Sequence, residues 1–137
     1  MSLERFYRGK TALVTGHTGF KGGWLSVWLK KLGARVVGYS LPPEHGRKGF
    51  FAAAGVARGM TSVLGDIRDM RAMETVFKRH QPQLLFHLAA QPLVLKAYRQ
   101  PLETFSTNVM GTANILDCAR RCRSLKAAVV VTSDKCY

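Results

Sequence analysis

Thr11-Ala12-Leu13-Val14-Thr15 runs straight into Gly16-His17-Thr18-Gly19-Phe20-Lys21-Gly22, and the reading of this stretch decides the fold. An apolar, β-branched run closed by glycine reads as a strand. Three glycines at a spacing of three then open a segment of helical period. In Gly22–Leu32, Trp24, Leu25, Trp28, Leu29 and Leu32 recur at helical spacing, and Gly33 ends the helix as a C-terminal cap would. The alternation continues outward. Arg35–Tyr39 is a second strand, Ser40–Gly49 a surface loop, Phe50–Ala57 a short helix, and Thr61–Leu64 a third strand closed by Gly65-Asp66. Met70–His80 sets Met70, Met73, Val76 and Phe77 on one helical face. Leu84–Ala89 is a continuous apolar strand of the kind buried on both faces. Leu102–Cys122 reads as one long helix with Phe105, Val109, Thr112, Leu116 and Ala119 in a stripe, and Ala127–Thr132 is the fifth strand. Strand–helix alternation at this spacing demands right-handed crossovers, hence an α/β fold with a doubly wound parallel sheet in the order 3-2-1-4-5.

The composition agrees with a globular domain. Of 137 residues, 47% are hydrophobic and 21% charged, with 13 glycines and 5 prolines. That excludes a disordered tail, a collagen-like repeat and a disulfide scaffold. No run reaches the roughly 18–20 apolar residues that span a bilayer, and Met1–Lys10 lacks the apolar core of a secretory signal. Cys118 and Cys122 lie one helical turn apart, Cys136 stands alone, and no Cys/His cluster has zinc spacing. The cysteines therefore read as reduced thiols, the chain as cytoplasmic and the metal content as none. Lys+Arg outnumber Asp+Glu by 21 to 8, a formal +13 that invites an anionic partner. The basic residues are scattered and carry no helix-turn-helix, zinc-finger or RNA-recognition signature, which argues against nucleic acid.

The glycine loop names a better anion. Gly16 permits the tight turn off the strand, Gly19 lets the backbone approach a pyrophosphate that the helix N-terminus stabilises, and Gly22 lets helix pack on strand. Thr18, Phe20 and Lys21 complete the candidate dinucleotide loop, Lys21 either neutralising pyrophosphate or facing solvent. The end of the second strand usually selects NAD or NADP, through a carboxylate or an arginine. Here Tyr39-Ser40 offers no carboxylate, and Arg47 and Lys48 follow a few residues on, so the choice stays open. Asp66-Ile67, after the third strand, is placed to reach an adenine edge, or Asp66 caps the next helix. His87 lies within an apolar run and reads as a packed core residue.

Five motifs, G-H-T-G-F-K-G-G-W-L, G-D-I-R-D, H-L-A-A-Q-P-L-V, S-T-N-V-M-G-T and T-S-D-K-C-Y, follow in this order across nearly the whole chain. Together they resemble the N-terminal part of the CDP-glucose 4,6-dehydratases, extended short-chain dehydrogenases/reductases with a Rossmann-type fold. The resemblance implies NAD as cofactor, CDP-glucose as substrate and CDP-4-keto-6-deoxyglucose as product, in the nucleotide-sugar metabolism that feeds dideoxysugars of bacterial surface polysaccharide such as lipopolysaccharide O-antigen. Hydride leaves C4 of the glucosyl unit, water is lost across C5–C6, and the hydride returns to C6. It further implies that Ser133 hydrogen-bonds the C4 oxygen and that Asp134 protonates the departing C6 hydroxyl. Lys135 stands where the related dTDP-glucose dehydratases carry glutamate. Leu88, Ala89 and Ala90 would line the nicotinamide half beside Thr132, Asn108 would pin the long helix and a site water, and Gln91 and Tyr98 would contact substrate.

One departure matters. The superfamily's Y-x-x-x-K pair is missing, because none of Tyr7, Tyr39, Tyr98 and Tyr137 is followed by Lys at the fourth position on. The chain is therefore expected to be an incomplete NAD(P)-binding domain over residues 1–137, without later strands or the substrate-binding domain, inactive alone and part of a homo-oligomer (dimer or tetramer) when whole. Its fifth strand is expected at an exposed edge. Two other readings stand beside this one: another nucleotide-sugar dehydratase or epimerase, and a non-catalytic dinucleotide-binding module.

Overall fold

Strand β1 (Thr11–Thr15) is buried at every residue because it sits in the middle of the sheet and has helices over both faces. The computed structural model describes residues 2–44 and 49–132. Its elements are α1 (Leu3–Tyr7), β1, α2 (Phe20–Lys31), β2 (Arg35–Ser40), α3 (Phe50–Ala53), β3 (Thr61–Leu64), α4 (Met70–His80), β4 (Leu84–His87), α5 (Val94–Arg99), α6 (Pro101–Phe105), a π-helical turn (Ser106–Met110), α7 (Gly111–Arg121) and β5 (Ala127–Val130). The five strands are parallel and ordered β3-β2-β1-β4-β5, as the alternation requires. Thr15 is in register with Tyr39 on one side and His87 on the other, so the central strands end at one level.

Two apolar layers hold the sheet. On one face α4 and α7 pack Met73, Val76, Phe77, Ile115 and Cys118 against Leu13, Val37, Tyr39 and Leu85. On the other, Leu29 of α2 meets Ala12, Val14, Val36 and Leu84. Burial of each large aliphatic or aromatic side chain here contributes roughly 1.5–3 kcal/mol. Helix α4 begins where Asp69 accepts the Ala72 N–H (3.0 Å) and stops at Gln81 in the left-handed region, φ 44°. Gly33, φ +82°, ends α2 in the same way and for the same reason.

The structure corrects several sequence expectations. Helix α2 starts at Phe20 rather than Gly22, and its inner face is Gly22, Gly23, Ser26 and Leu29, while Trp24 and Trp28 are 54% and 52% exposed. A Cβ on Gly22 would overlap the Gly16 carbonyl. The helix thus approaches the sheet too closely for bulky residues, and small ones take the inside. The long helix is divided: α6 and α7 are joined by the π-turn, whose extra residue shifts the phase, so Phe105 and Val109 leave the expected stripe for solvent. Helix α5, which follows Pro92, is an element that the sequence pattern does not announce. Strands β4 and β5 are also shorter than expected, each ending two residues early. At the end of the sheet, among the described residues, Val129 of β5 and Val131 just beyond it are about half exposed.

Candidate functional site

The glycine loop, the segments after β3 and β4, and Thr132 after β5 all lie at the carboxyl ends of the strands, around the point where the order reverses between β1 and β4. Ligands of doubly wound sheets bind at that crevice. The loop is shaped from within. Gly16 has φ +79°, and a Cβ there would stand 2.9 Å from the Ala89 nitrogen, so the β1 turn lies directly against the segment after β4. Its N–H donates to the Tyr39 carbonyl (2.9 Å), and its carbonyl accepts the Gly19 N–H (3.1 Å).

Gly19 is different. A Cβ there would meet nothing closer than the Gly16 oxygen at an ordinary 3.4 Å, so internal packing does not demand glycine. It is the N-cap of α2 yet makes no side-chain bond to the helix's leading N–H groups. Those donors and the positive end of the helix dipole face outward beside a bare backbone, which suits a pyrophosphate. Lys21 is exposed on the first turn. Phe20, 68% exposed, joins Trp24 and Phe50 in an aromatic cluster in which the latter two rings stack at 5.1 Å. Thr18 donates its hydroxyl proton to the Leu41 carbonyl (2.9 Å) and accepts from Ser40 (2.8 Å), fastening the loop to the end of β2.

Several expected contact residues are engaged elsewhere. Tyr39 is 1% exposed, and its hydroxyl donates to the Asp66 carbonyl (2.9 Å). Burial, then the nearby carboxylates of Asp69 and Asp66, push it up to about 12. It is a strut between the ends of β2 and β3, and its side chain does not face the crevice. Asp66 does not cap α4, since Asp69 does. It instead accepts the Arg68 backbone N–H (2.9 Å) and the Arg68 guanidinium in a fork, bonds that hold its carboxyl below the usual range. The Ile67 side chain is buried beneath Gly111 and its carbonyl accepts from Asn114 (3.1 Å), so only its N–H is left for a ligand. The Gln91 amide bonds Leu93 and Thr104 (3.0 Å to the Thr104 hydroxyl). Asn108 holds the Gln91 backbone at both groups, accepting its N–H (2.8 Å) and donating to its carbonyl (3.1 Å). Tyr98 projects from α5 into solvent. Ala90 is exposed, Leu88 and Ala89 are half-buried, and Thr132 is exposed. Ser133, Asp134, Lys135, Arg47 and Lys48 lie outside the described residues.

His87 is a packed residue, 2% exposed, bonded to Thr15 (2.7 Å) and Thr112 (3.0 Å). The residue that sequence reasoning passes over is His17. It sits at a variable position of the glycine loop, where the spacing gives no warning. It is wholly buried, with Nε2 2.7 Å from the Ser62 hydroxyl and its ring edge-on to Phe51. Among the described residues Nδ1 has no hydrogen-bond partner. The ring therefore stays neutral: burial pushes its pKa from 6.5 down to about 4, against a smaller opposing pull from the Tyr39 backbone. Unfolded, the imidazole binds a proton that the folded chain refuses between those values. Stability is accordingly full above pH 6.5 and falls by up to about 3 kcal/mol as the pH drops toward 4. Urea unfolding at about pH 7.5 and about pH 4.5 should show this loss. In His17→Phe the drop should shrink, with buried His87, whose pKa burial also lowers, accounting for part of what remains.

The architecture is shared with nucleotide-sugar enzymes. An epimerase from Methanothermobacter thermautotrophicus superposes with a TM-score of 0.81 at 27% identity, over 96% of this chain and 38% of that one. A Thermus thermophilus UDP-glucose 4-epimerase in complex with NAD gives 0.75 at 27% identity, over 85% and 36%. The fold is thus the Rossmann-type α/β domain of the short-chain dehydrogenases/reductases. The family model described as GDP-mannose 4,6 dehydratase matches residues 13–137, and the chain belongs to that family. CDP-glucose 4,6-dehydratase of Salmonella typhimurium is 46% identical over 134 residues, which make up 98% of this chain and 37% of that protein. The chain therefore spans little more than a third of the length of this relative.

Proposed function

We propose that the whole protein is an NAD-dependent CDP-glucose 4,6-dehydratase and that residues 1–137 form its dinucleotide-binding portion, the rest supplying the sugar-nucleotide domain. The 46% identity to the Salmonella enzyme across nearly the entire chain carries the reading, and the open Gly19 backbone at the α2 N-terminus supports the cofactor. NAD supplies a hydride acceptor that later returns the hydride. The leading N–H groups of α2 would hold its pyrophosphate, which the bare Gly19 backbone would let approach. Asp66 and the Ile67 N–H would meet the adenine, and the Leu88–Ala90 backbone would lie along the nicotinamide half. NAD rather than NADP is favoured by the NAD complex of the Thermus relative.

Beyond Thr132, Ser133 would hold the C4 oxygen of the glucosyl unit, and Asp134, beside Lys135, would protonate the departing C6 hydroxyl. Loss of hydride from C4 would acidify the C5 proton, which a base would remove as the protonated C6 hydroxyl departs as water; return of hydride to C6 and of a proton to C5 would complete a redox-neutral conversion.

Two experiments test this. The full-length protein incubated separately with CDP-, dTDP-, UDP- and GDP-glucose should form a 4-keto sugar from CDP-glucose alone; faster turnover of another nucleotide sugar overturns the substrate. Titration of the 137-residue chain with NADH, followed by fluorescence, should show binding that Gly19→Ala weakens roughly tenfold while leaving the melting temperature in place, since the added Cβ intrudes on the ligand and not on the protein. Equal affinity of the two chains would place the pyrophosphate elsewhere.

A further inference from the structure

The hydrogen bonds around His87 permit one arrangement of protons. Thr15 Oγ1 accepts two backbone N–H groups, from Leu88 (3.1 Å) and Ala89 (3.2 Å), which leaves its own proton for His87 Nδ1 at 2.7 Å. The ring must then carry its proton on Nε2, and that N–H donates to Thr112 Oγ1 at 3.0 Å. The Thr112 proton is committed to the Asn108 carbonyl at 2.7 Å. The Asn108 side chain grips the Gln91 backbone at both its N–H and its carbonyl. Every donor in the relay therefore finds an acceptor, and the direction runs one way from the end of β1 to the π-turn.

That turn is an unusual anchor. At Ser106–Met110 the helix repeats at five residues, the Gly111 N–H reaching back to Ser106, and Asn108 is its middle residue. A π-turn needs outside support because it is rare and strained beside the α-helix, and the Thr112 hydroxyl bond to the Asn108 carbonyl gives it some. The relay thus ties together three things separated in sequence: the end of β1, the Leu88–Gln91 segment, and the turn of the long helix.

We propose that His87 is a positioning residue of the dinucleotide site. Fixed as its Nε2–H tautomer between Thr15 and Thr112, it sets the π-turn from which Asn108 holds the Leu88–Gln91 wall in place. This rests on the reading that a dinucleotide lies along that wall, and the test has arms that do and do not depend on it.

The probes are the 137-residue chain and its Thr112→Val and Thr112→Ser variants, the first removing the relay hydroxyl at constant shape and the second restoring it. Nitrogen-15 spectra of the unsubstituted chain should show a single neutral His87 tautomer protonated at Nε2. In Thr112→Val the Gln91 amide should exchange with solvent roughly tenfold faster, the size expected for one buried hydrogen bond. The Asn108 side-chain amide protons should shift, and the NADH dissociation constant should rise by a similar factor. Thr112→Ser should return all three toward the starting values, which a general loss of packing would not do. A His87 protonated at Nδ1, or Gln91 exchange and Asn108 shifts unchanged in Thr112→Val, overturns the proposal. If the unsubstituted chain binds no NADH, the assignment of the site fails, and the tautomer and exchange measurements still decide the relay. Changed exchange and shifts with an unchanged dissociation constant would leave His87 a structural residue only and also overturn the proposal.

Discussion

Gly22→Ala should prevent stable folding or cost on the order of 4 kcal/mol, far above a typical helix glycine-to-alanine change, which is mildly stabilising on propensity alone. Gly22 is buried on the first turn of α2, and a Cβ there would overlap the Gly16 carbonyl oxygen and crowd the His17 Cα. Both obstacles are backbone, so no side chain can rotate away. Relief requires α2 to lift from the loop, which would undo the Leu29 packing against Val14 and Val36 and move the helix N-terminus off the crevice. Urea unfolding followed by circular dichroism measures the loss. A variant within about 1 kcal/mol of the parent would mean that helix and loop are not in the close contact described.

Gly38→Ala should be comparably damaging, on the order of 4 kcal/mol, for a different reason: its Cβ would overlap the ring of His17, which is wholly buried and held by Ser62. Here the obstacle is a side chain, so the damage should be conditional. His17→Ala alone leaves a cavity and should cost about 2–3 kcal/mol. In that background Gly38→Ala places its methyl in the vacated space. The double variant should then be more stable than the sum of the single changes by on the order of 2 kcal/mol, a coupling that a double-mutant cycle reads directly. Strict additivity would show that ring and strand do not share the space.

The strands and most helices are legible in the sequence because their patterns arise from local preference and two-sided burial. Met70–His80 and Thr61–Leu64 coincide with their expected bounds, and the parallel order follows from chirality. Which face a helix buries is less legible where contact depends on the absence of side chains. The large residues Trp24 and Trp28 suggest an inner face, but the close approach is made by Gly22, Gly23 and Ser26. The long helix shows its helicity but not its change of phase, since a π-turn leaves no mark in a pattern read at about 3.6 residues per turn. At the site, the glycine loop is readable from spacing because backbone conformation demands it. The burial of Tyr39, the engagement of Gln91 and the wedge formed by His17 are not, because each depends on partners 13 to 45 residues away or on a neighbouring strand. The candidate chemistry at Ser133, Asp134 and Lys135 rests on resemblance alone.

The π-turn has one more consequence. An inserted residue rotates everything beyond it by about 100° about the helix axis, so the two halves of the long helix point their apolar sides in different directions. Gly111, Ile115 and Cys118 turn inward, while Leu102, Phe105 and Val109 turn outward. What this segment fixes is a residue count as much as a set of side chains. Deleting any one position between Ser106 and Met110 would leave a more regular helix whose two halves were misaligned by that rotation, a local improvement in hydrogen bonding that disorders everything the two halves touch.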